Sequence, residues 1–218
     1  LKNNIEKQTQ FEMLKKLEFG FKYFFKILKF SKKLKIEFCA SCFDIESLEL
    51  FKKLSIKKIK IPSSEITNYF LLKKIEKLKK QIIMSTGMST LPEIKNAVNT
   101  LISYGAKRKN ITLLQCNSEY PTPYKDANLL VINELKKKFN LRVGYSDHTD
   151  GIEASIAAVA LGASVIEKHL TLNKSLSGPD HKASLEPNEF KKLVSSIRNV
   201  EIALGTSSKV VTKSENKN

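Results

Sequence analysis

The sequence predicts an α/β chain, a parallel (β/α)8 TIM barrel that is incomplete here, with about six βα units and the first two strands missing. Three observations predict it. Short β-branched runs alternate six times with amphipathic helical segments. Polar and ionisable residues collect just where those runs end: Ser41, Lys60, Ser63, Glu65, Ser85, Asn117, Ser146, His148, Glu167 and His169. Almost every strand contributes to this set, which suits the rim of a barrel better than the single switch point of an open doubly wound sheet. Eight strands close a barrel, so two are expected to lie outside the six. The chain starts at Leu1 and not at methionine, so they are expected on the N-terminal side.

Residues 5–33 carry apolar side chains at three-to-four spacing, Phe11, Leu14 and Leu17 and then Phe21, Phe24, Phe25 and Leu28, which predicts helix interrupted at Gly20. Segment 21–35 is aromatic and basic, a composition that also suits a membrane-surface helix. The strand expected directly afterwards, 36–43, favours a helix packed on a sheet. That strand contains Cys39 and Cys42 in a C-x-x-C spacing, but alternation points the two thiols to opposite faces, away from the helix N-terminus a redox pair needs. The alternation then continues: helix 45–54, strand 56–61, helix 69–79, strand 81–84. Thr90-Leu-Pro-Glu93 is a capping box with proline in the first turn, opening a helix that Gly105 stops near Tyr104. Strand 111–116 and helix 128–139 follow, then strand 141–145, a small-residue helix 152–161 closed by Gly162, and strand 164–166. A last helix, 189–204, ends at Gly205. The chain divides into a barrel region, 1–205, and a polar tail or linker, 206–218.

Bulk properties narrow the function. At 218 residues with 41% hydrophobic content the chain can bury one large core. No apolar run is long enough to cross a bilayer, no secretory signal is read at the start, and three cysteines without a pattern suit a reducing cytoplasm. The net charge of +16 raises nucleic-acid binding. The lysines, however, occur in every amphipathic segment, and no nucleic-acid motif is present. A positive field that draws in anionic small substrates is the better reading.

The three histidines, His148, His169 and His181, fall in one region together with Asp147, Glu167, Lys168 and Asp180. Strand, helix and following strand in a parallel sheet bring both strand ends to one edge. Side-chain alternation puts Ser146 with His148 on one face and Glu167 with His169 on one face. From the residues alone two readings stand level: a divalent-metal site, or polar strand ends that hydrogen-bond locally. Lys168 could serve a Schiff-base aldolase. Alternation turns it away from Glu167 and His169, which favours a structural or supporting role.

Gly144-Tyr-Ser-Asp-His-Thr149, Ala157-Ala-Val-Ala-Leu-Gly-Ala-Ser-Val-Ile-Glu-Lys-His169 and Gly178-Pro-Asp-His-Lys-Ala-Ser-Leu185 closely resemble the sialic acid synthase family. So do Tyr120-Pro-Thr-Pro123, Ser85-Thr-Gly-Met88 and the segment Gln10-Phe-Glu-Met-Leu-Lys-Lys-Leu17, all in family order from about residue 8 to residue 205. The resemblance implies a (β/α)8 barrel followed by a small antifreeze-like domain, working as a homodimer in the cytoplasm, with no nucleic-acid or membrane partner. It implies condensation of phosphoenolpyruvate with an N-acetylated amino sugar of the N-acetylmannosamine type, giving a sialic or legionaminic acid and phosphate. His148 and His169 match the two protein ligands of the family's Mn2+ and carry over as catalytic residues with Glu65, a carboxylate assigned to the sugar or the attacking water. Lys60, Ser63, Ser85 and Ser146 match groups that hold phosphoenolpyruvate. Tyr120 and Asp180 match sugar contacts. Glu167 is carried over with this substrate set. Asn117 or Ser118 takes the place of a phosphate-side asparagine. Ser41 stands where the family usually has threonine before a proline, in Ala40-Ser-Cys-Phe43; the hydroxyl is kept and the proline is not. The missing strands and the missing small domain make this polypeptide alone expected to be inactive or nearly so, and a Schiff-base aldolase and a non-catalytic gene remnant are the competing readings. The Asn-Ser-Glu-Tyr-Pro-Thr-Pro block resembles the sialic and legionaminic branches more than the pseudaminic one.

Overall fold

A computed structural model of the chain describes residues 9–54 and 56–217. Six parallel strands form one sheet in sequence order: β1 (Ala40–Ser41), β2 (Lys58–Ile61), β3 (Gln81–Ser85), β4 (Ile111–Cys116), β5 (Arg142–Asp147) and β6 (Ile166–Lys168). Eight helices accompany them among the described residues: α1 (Gln10–Lys16), α2 (Phe21–Lys33), α3 (Ile45–Lys53), α4 (Tyr69–Glu76), α5 (Leu91–Ser103), α6 (Val131–Phe139), α7 (Glu153–Ala160) and α8 (Pro187–Ala203). All neighbouring strands run parallel, so each connection crosses back over one face and every carboxyl end arrives at the same rim. The sheet is an arc and not a closed ring: among the described residues β1 pairs only with β2, and β6 only with β5.

Burial follows the strand period. In β2, Ile59 and Ile61 are fully buried while Lys58 and Lys60 lie on the opposite face. The main core lies where the sheet meets its helices, joining Ile59, Ile61, Met84, Leu113 and Val143 to Leu72, Leu101, Ile132 and Ala158. All six residues of β4 are buried, because this strand is flanked by strands on both sides and covered by helix.

Several boundaries differ from the sequence reading. The strand expected over 36–43 pairs only at Ala40 and Ser41. Strand geometry needs a ladder partner, and here the chain leaves α2 through Lys35 in the left-handed region (φ 57°), with Ile36 N–H donating to Ser31 O at 2.9 Å. The placement of the two thiols agrees with the reading against a redox pair: Cys39 is exposed, Cys42 is buried, and burial raises the Cys42 thiol to about 11. Helix 69–79 stops at Glu76, because Lys79 takes a left-handed turn (φ 50°). Helix 128–139 begins only at Val131, after Asn128 at φ 45°. The last strand lies two residues later than read, at Ile166–Lys168.

The break at Gly20 is as read, while residues 5–8 of the expected first helix lie outside the described residues. Helix α2 has no fully buried residue; Phe24 and Leu28 are partly buried against the core. No helix among the described residues is long and apolar enough to cross a membrane. From 206 to 216 every residue is exposed.

Candidate functional site

The rim is built from the ends of β2 to β6. Two clusters of sequence-read residues meet there. In the first, Lys60 Nζ lies 2.9 Å from Glu167 Oε1, and Ser146 Oγ donates to the same oxygen at 2.6 Å. Ser146 and Glu167 are register partners across β5 and β6, so the bond follows from the strand pairing. Lys60 reaches them from β2; its side chain is 13% exposed, which makes its charge a concentrated one.

In the second cluster the imidazoles of His148 and His169 lie 5.4 Å apart, centroid to centroid, in an edge-to-face arrangement. Tyr120 packs against both, at 4.0 Å from His148 and 5.4 Å from His169. His148 Nδ1–H donates to the Asn117 carbonyl at 2.6 Å. A carbonyl only accepts, so this bond fixes the proton on Nδ1 and leaves the Nε2 lone pair free. Burial lowers the His148 pKa and favours the neutral ring. The backbone at both histidines is also held: Thr122 N–H donates to His148 O at 2.8 Å, and Leu185 N–H to His169 O at 2.9 Å. Asp180 Oδ2 stands 3.8 Å from His169 Nδ1. Burial raises the Tyr120 hydroxyl to about 12, so it stays a donor.

Hydroxyls fill the space beside these clusters. Ser63 Oγ accepts from Gly87 N–H at 3.0 Å and lies 3.9 Å from Cys116 Sγ. A Cβ on Gly87 would fall 2.4 Å from Ser118 Oγ and 2.9 Å from Ser63 Oγ, so glycine is what lets both hydroxyls converge there. Ser85 Oγ is buried without a hydrogen-bond partner. A buried hydroxyl at a rim with no protein partner can bond an oxygen from outside the chain, of water or of a ligand.

Other residues read from the sequence are placed differently. The Asn117 side chain serves its own loop, accepting from Glu119 N–H at 2.8 Å and donating to Asp126 O at 3.3 Å. Its carbonyl, not its amide, reaches the site. Of the two positions left open there, Ser118 has the side chain beside Ser63. Glu65 accepts from Asn68 Nδ2 at 2.8 Å, the residue that caps α4. Ser41 is exposed on the edge strand. His181 bonds Thr171 Oγ1 through Nδ1 at 2.7 Å and orders its loop.

Lys168 is not available as a Schiff-base lysine. Its side chain is 1% exposed and its Nζ is 3.1 Å from Asp147 Oδ2. The sequence reading passed over Cys116, which lies 3.9 Å from both Ser63 Oγ and His148 Nδ1. Its signal was its place as the last residue of β4, in register with Ser146 on β5.

Two imidazole nitrogen donors at one rim fit a divalent metal that takes its remaining ligands from water or substrate oxygens. Among the described residues no group of three His, Cys, Asp or Glu side chains is gathered to hold a metal by protein alone.

Comparison with known proteins agrees with the fold and the order of motifs. A family model for the NeuB family matches residues 1–209. The chain is 53% identical over 218 residues to the N,N'-diacetyllegionaminic acid synthase of Campylobacter jejuni, covering 100% of this chain and 65% of that protein. It is 44% identical over 217 residues to the Legionella pneumophila protein of the same name, covering 98% of this chain and 61% of the other. The crystal structure of the N-acetylneuraminic acid (sialic acid) synthetase of Leptospira borgpetersenii in complex with citrate superposes with a TM-score of 0.87 at 36% identity, over 94% of this chain and 71% of that one. The chain therefore spans less than two thirds of the length of these curated relatives. A truncated 3-deoxy-D-arabino-heptulosonate 7-phosphate synthase from Thermotoga maritima shares the fold, with a TM-score of 0.77 at 22% identity. On the family match and these identities, the chain belongs to the NeuB family.

Proposed function

We propose that this chain carries the substrate-binding rim of a synthase that joins phosphoenolpyruvate to an N-acetylated amino sugar of the N-acetylmannosamine type, forming a nonulosonic acid of the sialic or legionaminic type and releasing phosphate. The observation that carries the reading is the Lys60–Glu167–Ser146 cluster at the same rim as two facing imidazoles. A fixed cation, converging hydroxyls and an orphaned hydroxyl match the phosphate and carboxylate of a small dianionic substrate.

In this reading Lys60, Ser63, Ser85, Ser118 and Ser146 bind and orient phosphoenolpyruvate. Glu167 keeps Lys60 and Ser146 in place until the substrate's own anions arrive. Tyr120 and Asp180 face the sugar. His148 and His169 would hold Mn2+, which when bound supplies a Lewis acid for the sugar's aldehyde oxygen. The new bond forms between C3 of phosphoenolpyruvate and the aldehyde carbon; water adds at C2, and phosphate leaves as the C2–O bond breaks. Glu65, placed here by family resemblance, is the candidate to take the proton from that water.

Calorimetric titration of phosphoenolpyruvate tests the rim directly. Lys60→Ala removes a charge-assisted contact worth about 1.5–3 kcal/mol, so affinity should fall roughly ten- to hundredfold. Unchanged affinity would remove Lys60, and with it the carrying observation, from the site.

A further inference from the structure

We propose that Asp147 and Lys168 are positioning residues that set the spacing of His148 and His169; the proposal rests on the metal reading above. The two are register partners on β5 and β6, each one residue before a histidine. Their side chains are 0% and 1% exposed, on the strand faces opposite the Ser146–Glu167 bond. One rung thus carries the substrate-facing contact, and the next carries a desolvated ion pair behind it.

The pair is tied into both flanks of His148. Asp147 Oδ1 accepts from Thr149 N–H and Thr149 Oγ1, each at 2.8 Å. Asp147 Oδ2 accepts from Ser155 Oγ at 2.5 Å, which anchors it to α7. Lys168 Nζ donates to Thr149 O at 2.5 Å as well as meeting Asp147. The residues before and after His148 are therefore both bonded to the residue before His169. This matters because β6 is short, with three residues in the ladder, and no strand lies on its other side among the described residues. Past the ladder the His169 carbonyl is bonded to Leu185 N–H at 2.9 Å, a contact that does not tie His169 to β5. Sliding β6 against β5 would separate a buried ion pair, a step that low-dielectric surroundings make costly. A buried pair adds little net stability but fixes one geometry, and here that geometry is the distance between the two imidazoles.

The test is Mn2+ affinity of the full chain, read from the electron paramagnetic resonance of free Mn2+, with the Co2+ visible spectrum as a report on ligand geometry and circular dichroism as the fold control. Lys168→Met should weaken Mn2+ binding about ten- to hundredfold and shift the Co2+ bands. Ser155→Ala, which loosens Asp147 without stranding a charge, should weaken it severalfold and decides the matter if Lys168→Met does not fold. Folded variants with parental affinity and parental Co2+ bands overturn the proposal. His148→Ala separates it from the reading beneath: binding that survives His148→Ala overturns the metal site and this proposal together, whereas binding lost in His148→Ala but intact in Lys168→Met and Ser155→Ala overturns the positioning role alone.

Discussion

His148 is buried against Tyr120 and bonded to a carbonyl, and burial lowers its pKa from the ordinary 6.5. A lowered folded-state value means that the unfolded chain takes up a proton the folded chain resists. Stability from this group is present above 6.5, falls as pH drops through 6.5, and levels off below the folded pKa. Thermal melts across that range should show a loss on acidification that His148→Gln reduces; an identical loss in both proteins would contradict the neutral, buried ring. The same residue scale shows how much of the site was readable. Both histidines are expected at one rim because each follows an apolar run, and alternation groups Ser146 with His148 and Glu167 with His169; the direct bond between Ser146 and Glu167 comes from the register of β5 and β6, which alternation does not supply. Asn117 was read for its side chain, yet its carbonyl makes the contact, and sequence does not separate main-chain from side-chain roles. Cys116 was missed because a thiol ending a mostly apolar strand looks like core.

At the scale of elements, local chemistry decided what could be read. Strand β4 matched its expected bounds because it is short, mostly apolar and enclosed on both sides. The α5 capping box forms as read, with Thr90 and Glu93 bonding each other's backbone N–H groups. Strand β1 was over-read because an apolar run predicts burial, whereas a strand also needs a neighbour to pair with. Helices α4 and α6 lost turns to left-handed residues, Lys79 and Asn128, that periodicity does not see. The turn after β1 makes a measurable case. Asp44 caps α3, its Oδ1 accepting from Ser47 N–H at 2.6 Å. Asp44→Ala should lower unfolding free energy by about 1 kcal/mol in denaturant titration. A change near zero would mean that α3 is held by Leu48, Leu50 and Phe51 alone.

For the molecule as a whole, alternating elements gave the parallel sheet and its common rim, and the six strands lie in the order expected of consecutive barrel units. What composition left undecided was the meaning of the charge. The net +16 is spread over the helices, while at the rim one lysine, Lys60, is held by Glu167, whose same oxygen accepts from Ser146. On the proposed function, the general positive charge supplies a field that favours anionic substrates, and Lys60 supplies the local recognition. The most direct test is phosphate release from phosphoenolpyruvate by the complete protein that carries this chain, with Mn2+ and a panel of N-acetylated amino sugars, and with a chelator as control. The account predicts release that needs one of the sugars and stops when the chelator is added. A folded protein that releases no phosphate with any sugar, or releases it equally with chelator present, would contradict it.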